Sequence, residues 1–292
     1  MVPLLSRNVP NRKSVTLAAF PTRHDVSDLR GVLDIDQGDT VTQSRDSQRT
    51  LALATDDTGR AEIFASPQGE GPSAGTPCSF IRLSRCNLAC QWCDTAYTWR
   101  FTGDERPHRS GVAYDRVANQ VTLGVAEAAR MIDGFAPRRL VVTGGEPLLQ
   151  GLALAALAAL LPDHAIEVET NGTVAPHPRF DARVAQYNVS PKLSHSGNPA
   201  TLALLPPRLR QWAGDSRAFF KFVIAEPADV DEVLFLQRAH DIPLDRIFLM
   251  PEGTDSAALR ARLGWLTPLA AGHGFKVSDR LHIHLFGDTR GT

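Results

Sequence analysis

The sequence predicts an α/β protein: a parallel sheet with helical crossovers, curled into a partial (β/α)6 TIM-like barrel with some helices reduced or missing. Two observations carry this. Short β-rich runs alternate with apolar-periodic or Ala/Leu-rich stretches, and polar glycine- and proline-bearing motifs follow several of the runs. The chain has 292 residues with 43% hydrophobic and 22% charged content, enough for a sizeable core. Its formal net charge of -1 gives no electrostatic reason to bind nucleic acid or an anionic membrane, so a small-molecule partner is expected.

Residues 1–59 hold a single aromatic, Phe20, and show no sustained period. A segment so poor in large apolar groups builds no core of its own, and it reads as a flexible extension ahead of a working domain at 60–292. It has no apolar h-region of a secretory signal, and its aspartates argue against a transit peptide. A cytoplasmic location is expected. The longest apolar run, Leu152 to Leu161, is about half the ~20 residues that a membrane span needs, so it reads as a buried helix.

The strand candidates are Ser79 to Leu83, Leu140 to Thr143, Ala165 to Thr170, Gln186 to Val189, Phe219 to Ala225, Arg246 to Met250 and a closing run, Leu281 to Phe286. Helical stretches lie at Val125 to Ile132, Leu148 to Leu161, Val230 to His240 and Ala257 to Leu269. Between the third and fifth strands the connections look too short or too proline-rich for full helices. In the last run His282 and His284 alternate, and as strand residues they would face one way.

All four cysteines fall between positions 78 and 93, and Cys86, Cys90 and Cys93 follow the first candidate strand directly. Three thiols so spaced can hold three irons of a [4Fe-4S] cube and leave the fourth open to a substrate. Together with Cys78 they could also form a four-thiolate zinc site, although a single knuckle is unusual for one. Disulfides fit poorly, because they would close only tiny loops. Motifs follow the later strands: Thr143-Gly144-Gly145-Glu146-Pro147, Asn171-Gly172, Ser190-Pro191-Lys192 and Met250-Pro251-Glu252-Gly253. In a parallel sheet the carboxyl ends of strands share one rim, where ligands bind. Each motif alone is ordinary turn chemistry. Four of them on the rim that carries the cysteine loop point to one site.

The cysteine triad followed by Thr143-Gly144-Gly145-Glu146-Pro147 resembles the radical S-adenosylmethionine superfamily. Residues Glu62 to Gly71, Phe80-Ile81-Arg82-Leu83, Cys93-Asp94-Thr95-Ala96-Tyr97-Thr98-Trp99, Ser190-Pro191-Lys192 and the terminal Leu281-His282 narrow the likeness. They resemble the 7-carboxy-7-deazaguanine synthase family over residues 60 to 292. The resemblance implies a lyase that converts 6-carboxy-5,6,7,8-tetrahydropterin to 7-carboxy-7-deazaguanine with loss of ammonia, a precursor step for queuosine and other 7-deazapurines. It also implies a [4Fe-4S] cluster, S-adenosylmethionine, Mg2+, a homodimer, and an electron donor such as flavodoxin or ferredoxin.

By the same resemblance, Cys86, Cys90 and Cys93 hold the cluster. Trp92, Cys93, Asp94, Gly145, Glu146, Ser190, Pro191, Lys192, Met250, Pro251, Glu252 and Gly253 surround S-adenosylmethionine, Gly145 through its backbone and Glu146 by orienting the turn. Pro67, Gln68 and Gly69 offer backbone groups to the pterin, Arg82 takes its carboxylate, Thr143 gives a hydroxyl, and His282 and Thr292 complete the pocket. Thr95 matches the Mg2+ ligand, while on local grounds it also reads as a helix cap. Lys221, inside an apolar strand, reads as a rim residue or as a snorkelling lysine. Arg85 departs from the family, which more usually has glycine before the first cysteine. Two other readings remain: a superfamily activase that installs a glycyl radical, against which Gln68 to Gly71 and Arg82 argue, and a zinc-stabilised module without catalysis.

Overall fold

The computed structural model describes Asp46 and residues 48–292; the rest of the expected extension lies outside the described residues. The strands are β1 (Thr50–Ala54), β2 (Ile63–Pro67), β3 (Pro77–Leu83), β4 (Gln120–Gly124), β5 (Arg139–Gly144), β6 (Ala165–Thr170), β7 (Val184–Val189), β8 (Ala218–Ile224), β9 (Ile247–Pro251) and β10 (Lys276–Val277). The helices are α1 (Arg116–Asn119), α2 (Val125–Asp133), α3 (Gly151–Leu160), α4 (Pro178–Asp181), α5 (Ala200–Ala203), α6 (Pro206–Gly214), α7 (Asp229–His240), α8 (Ser256–Gly272) and α9 (Leu281–Phe286).

One sheet runs in the order β10-β9-β8-β7-β6-β5-β3-β1-β4, with β2 paired to β3. From β3 to β10 every neighbour is parallel, whereas β1, β2 and β4 join antiparallel. The edge strands β4 and β10 do not pair, so the barrel stays open. The helices form for ordinary reasons. In α2, Val125, Ala128, Ala129 and Ile132 line one face at helical spacing and are buried. The Asp255 carboxylate accepts the Ala258 N–H and caps α8.

The strands divide their residues between two faces. Ile81, Leu83, Leu140, Val142, Ile166, Val168, Val189, Phe220, Phe222 and Leu249 enter the main core beneath the helices. The alternate residues Arg82, Thr143, Glu169, Asn188, Lys221 and Met250 point the other way and line a cavity. Register aligns them: Arg82 sits opposite Thr143, and Glu169 opposite Asn188. A parallel sheet is usually apolar on both faces, so this polar inner stripe is the departure that marks a site.

Three expectations need correction. The boundary at residue 60 cuts through folded structure, because β1 pairs with β3 and β4 and buries Leu51 and Leu53 completely. Two leucines on a short strand suffice there without aromatics. Between β7 and β8 the prolines do not abolish helix: Pro206 and Pro207 open α6, where a missing N–H costs nothing. Finally, Leu281 to Phe286 is the helix α9 and not a strand; the edge position beside β9 is taken by β10. Two positions apart on a helix is about 200° of rotation, so His282 and His284 diverge. His282 lines the cavity, while His284 contacts Ser256 Oγ at 2.5 Å and Asp279 at 3.1 Å.

Candidate active site

Cys86, Cys90 and Cys93 lie on the loop that leaves β3, and all three border one cavity of about 360 Å³. The loop is fastened at both ends. At its entrance Gly145 N–H donates to Leu83 O at 3.0 Å and Glu146 N–H to Arg85 O at 2.9 Å. That approach requires glycine, since a Cβ on Gly145 would lie 2.2 Å from Arg85 O and one on Gly144 2.1 Å from Leu83 O. Arg85 itself has φ +80°, the left-handed region, which explains why glycine suits this position. On the other side, Gln91 N–H donates to Ser196 O at 2.9 Å, and Ala89 N–H to Asn198 Oδ1 at 2.9 Å.

Burial pushes the thiols up, Cys86 to about 12 and Cys93 to about 11, and raises Cys90 as well. A bound cation is what would draw off their protons. Cys78 stands apart. It is buried on β3 against Phe80 and Val141, bonds Thr76 O at 3.3 Å and does not border the cavity. Among the described residues no three His, Cys, Asp or Glu side chains converge as a single metal ion demands. A four-thiolate zinc site therefore does not fit. Three thiols on one loop, each free to take its own iron, fit a cube. Trp92 Nε1, buried without a partner beside them, leaves a donor for a ligand.

The inner stripe forms a cage of charges. Lys221 Nζ hydrogen-bonds Glu70 Oε2 and lies 3.8 Å from Glu169 Oε1. Arg280 meets Glu70 at 3.0 Å, Asp94 through Nη2, and the Gly253 carbonyl. Burial opposes ionisation of Glu70 and Asp94, but Lys221 and Arg280 for the first, and Arg280 and Arg82 for the second, hold both below the usual carboxylate range. Glu169 goes the other way: burial outweighs Lys221 and raises it. Burial also lowers His282, against the opposing pull of Glu70. Arg82 donates through Nε to Glu62 Oε1 at 2.7 Å, which fixes its stem and leaves its Nη groups toward the cavity it lines. The second Glu62 oxygen accepts Tyr97 OH at 2.9 Å.

Of the residues singled out in the sequence, Pro67, Gln68, Gly69, Arg82, Trp92, Cys93, Asp94, Thr95, Thr143, Gly145, Ser190, Lys192, Met250, His282 and Thr292 border this cavity. Pro191, Pro251, Glu252 and Gly253 do not; Glu252 pairs with Arg109 at 2.9 Å and Arg262 at 3.2 Å. Glu146 lies beneath the wall, fully buried, where it accepts Leu148 N–H, Asn171 N–H and Thr170 OH. Burial pushes its carboxyl up to about 7 despite those bonds. The Gln68 backbone is already paired, its N–H to Thr76 O and its carbonyl to Gly75 N–H, both at 2.8 Å. Its amide is also taken, by Glu167 Oε1 at 2.7 Å. Gly69 is needed for a different reason: a Cβ there would lie 2.1 Å from His282 Nδ1. Thr95 stands at the N-cap of the short 3-10 turn Ala96–Thr98 but makes no side-chain cap; its hydroxyl lies instead 3.6 Å from Cys93 Sγ. Lys221 is a caged cation and not a snorkelling one. Asn171, one of the rim motifs, borders the cavity as expected; Glu169, Asn188 and Arg280 were missed and Glu70 was given no role, though charges inside otherwise apolar strands signal Glu169 and Lys221.

A protein from Pyrobaculum aerophilum described as 7-carboxy-7-deazaguanine synthase is 38% identical over 233 residues, 79% of this chain and 95% of that one. The chain belongs to the 7-carboxy-7-deazaguanine synthase family. A second member, from Halobacterium salinarum, is 34% identical over 252 residues, 78% of this chain and 90% of its own. The crystal structure of QueE from Escherichia coli superposes with a TM-score of 0.57 at 24% identity, covering 82% of this chain and 98% of that one, and shares the fold. A scan against protein-family models finds no match. As a member of the 7-carboxy-7-deazaguanine synthase family, the chain is a radical S-adenosylmethionine lyase of 7-deazapurine biosynthesis, with an iron–sulfur cluster and S-adenosylmethionine as its cofactors.

Proposed function

We propose that the cavity takes 6-carboxy-5,6,7,8-tetrahydropterin between the charged inner stripe and the cluster loop. The observation that carries this is the row Arg82, Thr143, Glu169, Asn188 and Lys221, one polar side chain from each of five neighbouring parallel strands, on the rim that bears the three thiols. A carboxylated, amide-rich heterocycle needs such a mixture of cation, carboxylate and amide. Arg82 binds the carboxylate through Nη atoms that have no other partner among the described residues. Glu169, its carboxyl raised by burial, meets the ring donors, and Asn188, held by Glu167 Oε1 at 2.7 Å and Gln186 Nε2 at 3.0 Å, offers them only the remaining lone pair of its oxygen. Given the paired Gln68 backbone, Pro67 to Gly69 act mainly as a wall that seats His282.

Cys86, Cys90 and Cys93 would hold the cluster, and S-adenosylmethionine would lie along Trp92, Gly145, Ser190, Lys192 and Met250, all of which border the same space. When bound, these cofactors supply the hydrogen-abstracting radical chemistry. Lys192 is tied to Ser190 Oγ at 2.8 Å and lies 5.5 Å from the Trp92 ring, a cation poised for a carboxylate. Glu146 acts from beneath, by bracing the turn at Gly145 and the Asn171 backbone. Mg2+ would use the Thr95 hydroxyl with substrate oxygens and water completing its shell. A homodimer, a cytoplasmic setting and a flavodoxin or ferredoxin donor complete the proposal. Among the described residues no helix is long and apolar enough to cross a membrane.

The test incubates reduced, reconstituted protein with S-adenosylmethionine, Mg2+ and the carboxypterin and follows 7-carboxy-7-deazaguanine by mass spectrometry. Product that forms with wild type and loses its Mg2+ response in Thr95→Val supports the assignment. Cofactor cleavage without the deazaguanine overturns the substrate.

A further inference from the structure

Two of the three cysteine sulfurs in the cluster loop already accept a side-chain N–H. Asn198 Nδ2 lies 3.2 Å from Cys90 Sγ, and Trp99 Nε1 lies 3.4 Å from Cys93 Sγ. Cys86 is met by Asn171 Nδ2 at the longer distance of 3.9 Å, the other hydrogen of that amide going to Asn87 Oδ1 at 2.9 Å. The ligand set is therefore asymmetric, with two sulfurs closely donated and one only at long range.

Neither donor is free to turn away. The Asn198 carboxamide is oriented by its own oxygen, which accepts Ala89 N–H at 2.9 Å; the amide nitrogen is thereby left facing the sulfur. The Ser196 hydroxyl, 3.1 Å from the same nitrogen, holds the second amide hydrogen. Trp99 is 5% exposed, and its ring is braced edge-on by His108 at 6.1 Å and covered by the Arg106 guanidinium at 4.9 Å. An indole has one donor, and here it is spent on Cys93. His108 in turn reaches the Cys93 carbonyl at 2.8 Å, so the same small assembly fixes both the ligand backbone and the donor.

We propose that Asn198 and Trp99 set the reduction potential of the cluster. The inference rests on the cluster assignment above. Reduction adds one electron, taken from an external low-potential reductant, to a cluster whose charge is shared with its thiolate sulfurs, and no bond is made or broken. An N–H aimed at such a sulfur stabilises the more negative, reduced state more than the oxidised one, so both residues raise the potential. Asn198 and Trp99 are positioning residues that act through the ligand sulfurs. Asn198 does not border the cavity; Trp99 does, but its single donor is spent on Cys93 Sγ, so the reduction potential and not turnover is the readout that isolates this role.

The experiment uses cluster-loaded Asn198→Ala and Trp99→Phe proteins whose iron and sulfide have been counted, poised with dithionite and redox mediators and read by the electron paramagnetic resonance signal of the reduced cluster. Loss of one such N–H is expected to change the reduced-to-oxidised ratio at fixed potential by about tenfold. For a one-electron couple, tenfold is about 59 mV. Each variant is expected to shift downward by that amount, and the double variant by about the product of the two ratios. Variants with wild-type iron and sulfide whose ratio stays within about twofold of wild type overturn the proposal. Loss of the cluster in both variants overturns it too, because the residues would then be loop clamps. A wild-type protein that takes up no iron or sulfide is a different outcome, and it removes the cluster assignment itself.

Discussion

Lys221→Met removes the central cation of the charged cage while preserving the length and apolar stem of the side chain. The Lys221 ammonium is 5% exposed and touches two carboxylates, Glu70 and Glu169. Glu70 retains Arg280 after the substitution, but Glu169 is left with the Gln68 amide at 3.2 Å and the Thr143 hydroxyl at 3.3 Å. Removing one partner of a buried ion pair costs about 3–5 kcal/mol. For a chain of this size each kcal/mol moves the melting temperature by about 2–4 °C, so a fall of about 6–20 °C is expected by anaerobic calorimetry of cluster-loaded protein. The loss has a pH signature. Glu169 has a folded-state pKa above its unfolded value, so its contribution to stability is full below the unfolded value and is lost as pH rises through the folded one. Without Lys221 that folded value climbs further, and the deficit should grow from mildly acidic toward alkaline pH. Adding Glu169→Gln should restore much of the stability at high pH and flatten the dependence. A Lys221→Met protein that melts within about 2 °C of wild type at every pH would refute the cage, and would mean that water screens these charges.

Other outcomes follow from the same geometry. Cys90→Ala should lose the cluster, read as iron and sulfide per chain, whereas Cys78→Ala keeps it, because Cys78 packs between Phe80 and Val141 away from the cavity. Arg82→Ala should retain the cluster but lower kcat/KM by about 10–100-fold, the worth of one charge-assisted contact; equal cluster loss with Cys90→Ala would make Arg82 structural. Arg85→Gly should stabilise by about 1 kcal/mol through relief of the left-handed backbone, while Arg85→Ala, which keeps the Cβ, should not; equal melting temperatures would refute the strain.

What was legible in the sequence was local. Six parallel strands showed as short β-rich runs and their rim motifs as glycine-bearing turns, because strand period and turn chemistry are written within a few residues. The final strand was misread because Leu281-His282-Ile283-His284-Leu285-Phe286 alternates like a strand yet folds as α9: alternation records side-chain chemistry, and the free sheet edge had gone to Lys276–Val277. β1 was overlooked for the opposite reason. Its run of Leu and Ala holds no aromatic, Val or Ile residue that marks a strand, and only pairing with β3 and β4 makes it core.

The site shows the same division more sharply. Cys86, Cys90 and Cys93 announce themselves by spacing, but Arg280 sits in a stretch without any motif. Its guanidinium nonetheless joins three distant segments: Glu70 on the turn between β2 and β3, Asp94 on the cluster loop, and the Gly253 carbonyl after β9. Gly69 then admits His282 from the following helix, and Gly71 N–H bonds Ser278 Oγ at 2.7 Å, so the end of the chain closes over the first hairpin. The Arg280–Glu70 and Gly71–Ser278 bonds each span about two hundred residues of sequence and exist only once the parallel strands have brought their carboxyl ends to one rim. A buried guanidinium with two carboxylate partners is tolerable only when all three segments arrive together. Arg280 therefore ties the cluster loop, the turn between β2 and β3 and the segment after β9 into a single cooperative unit, so that loosening any one of them should be felt by the other two.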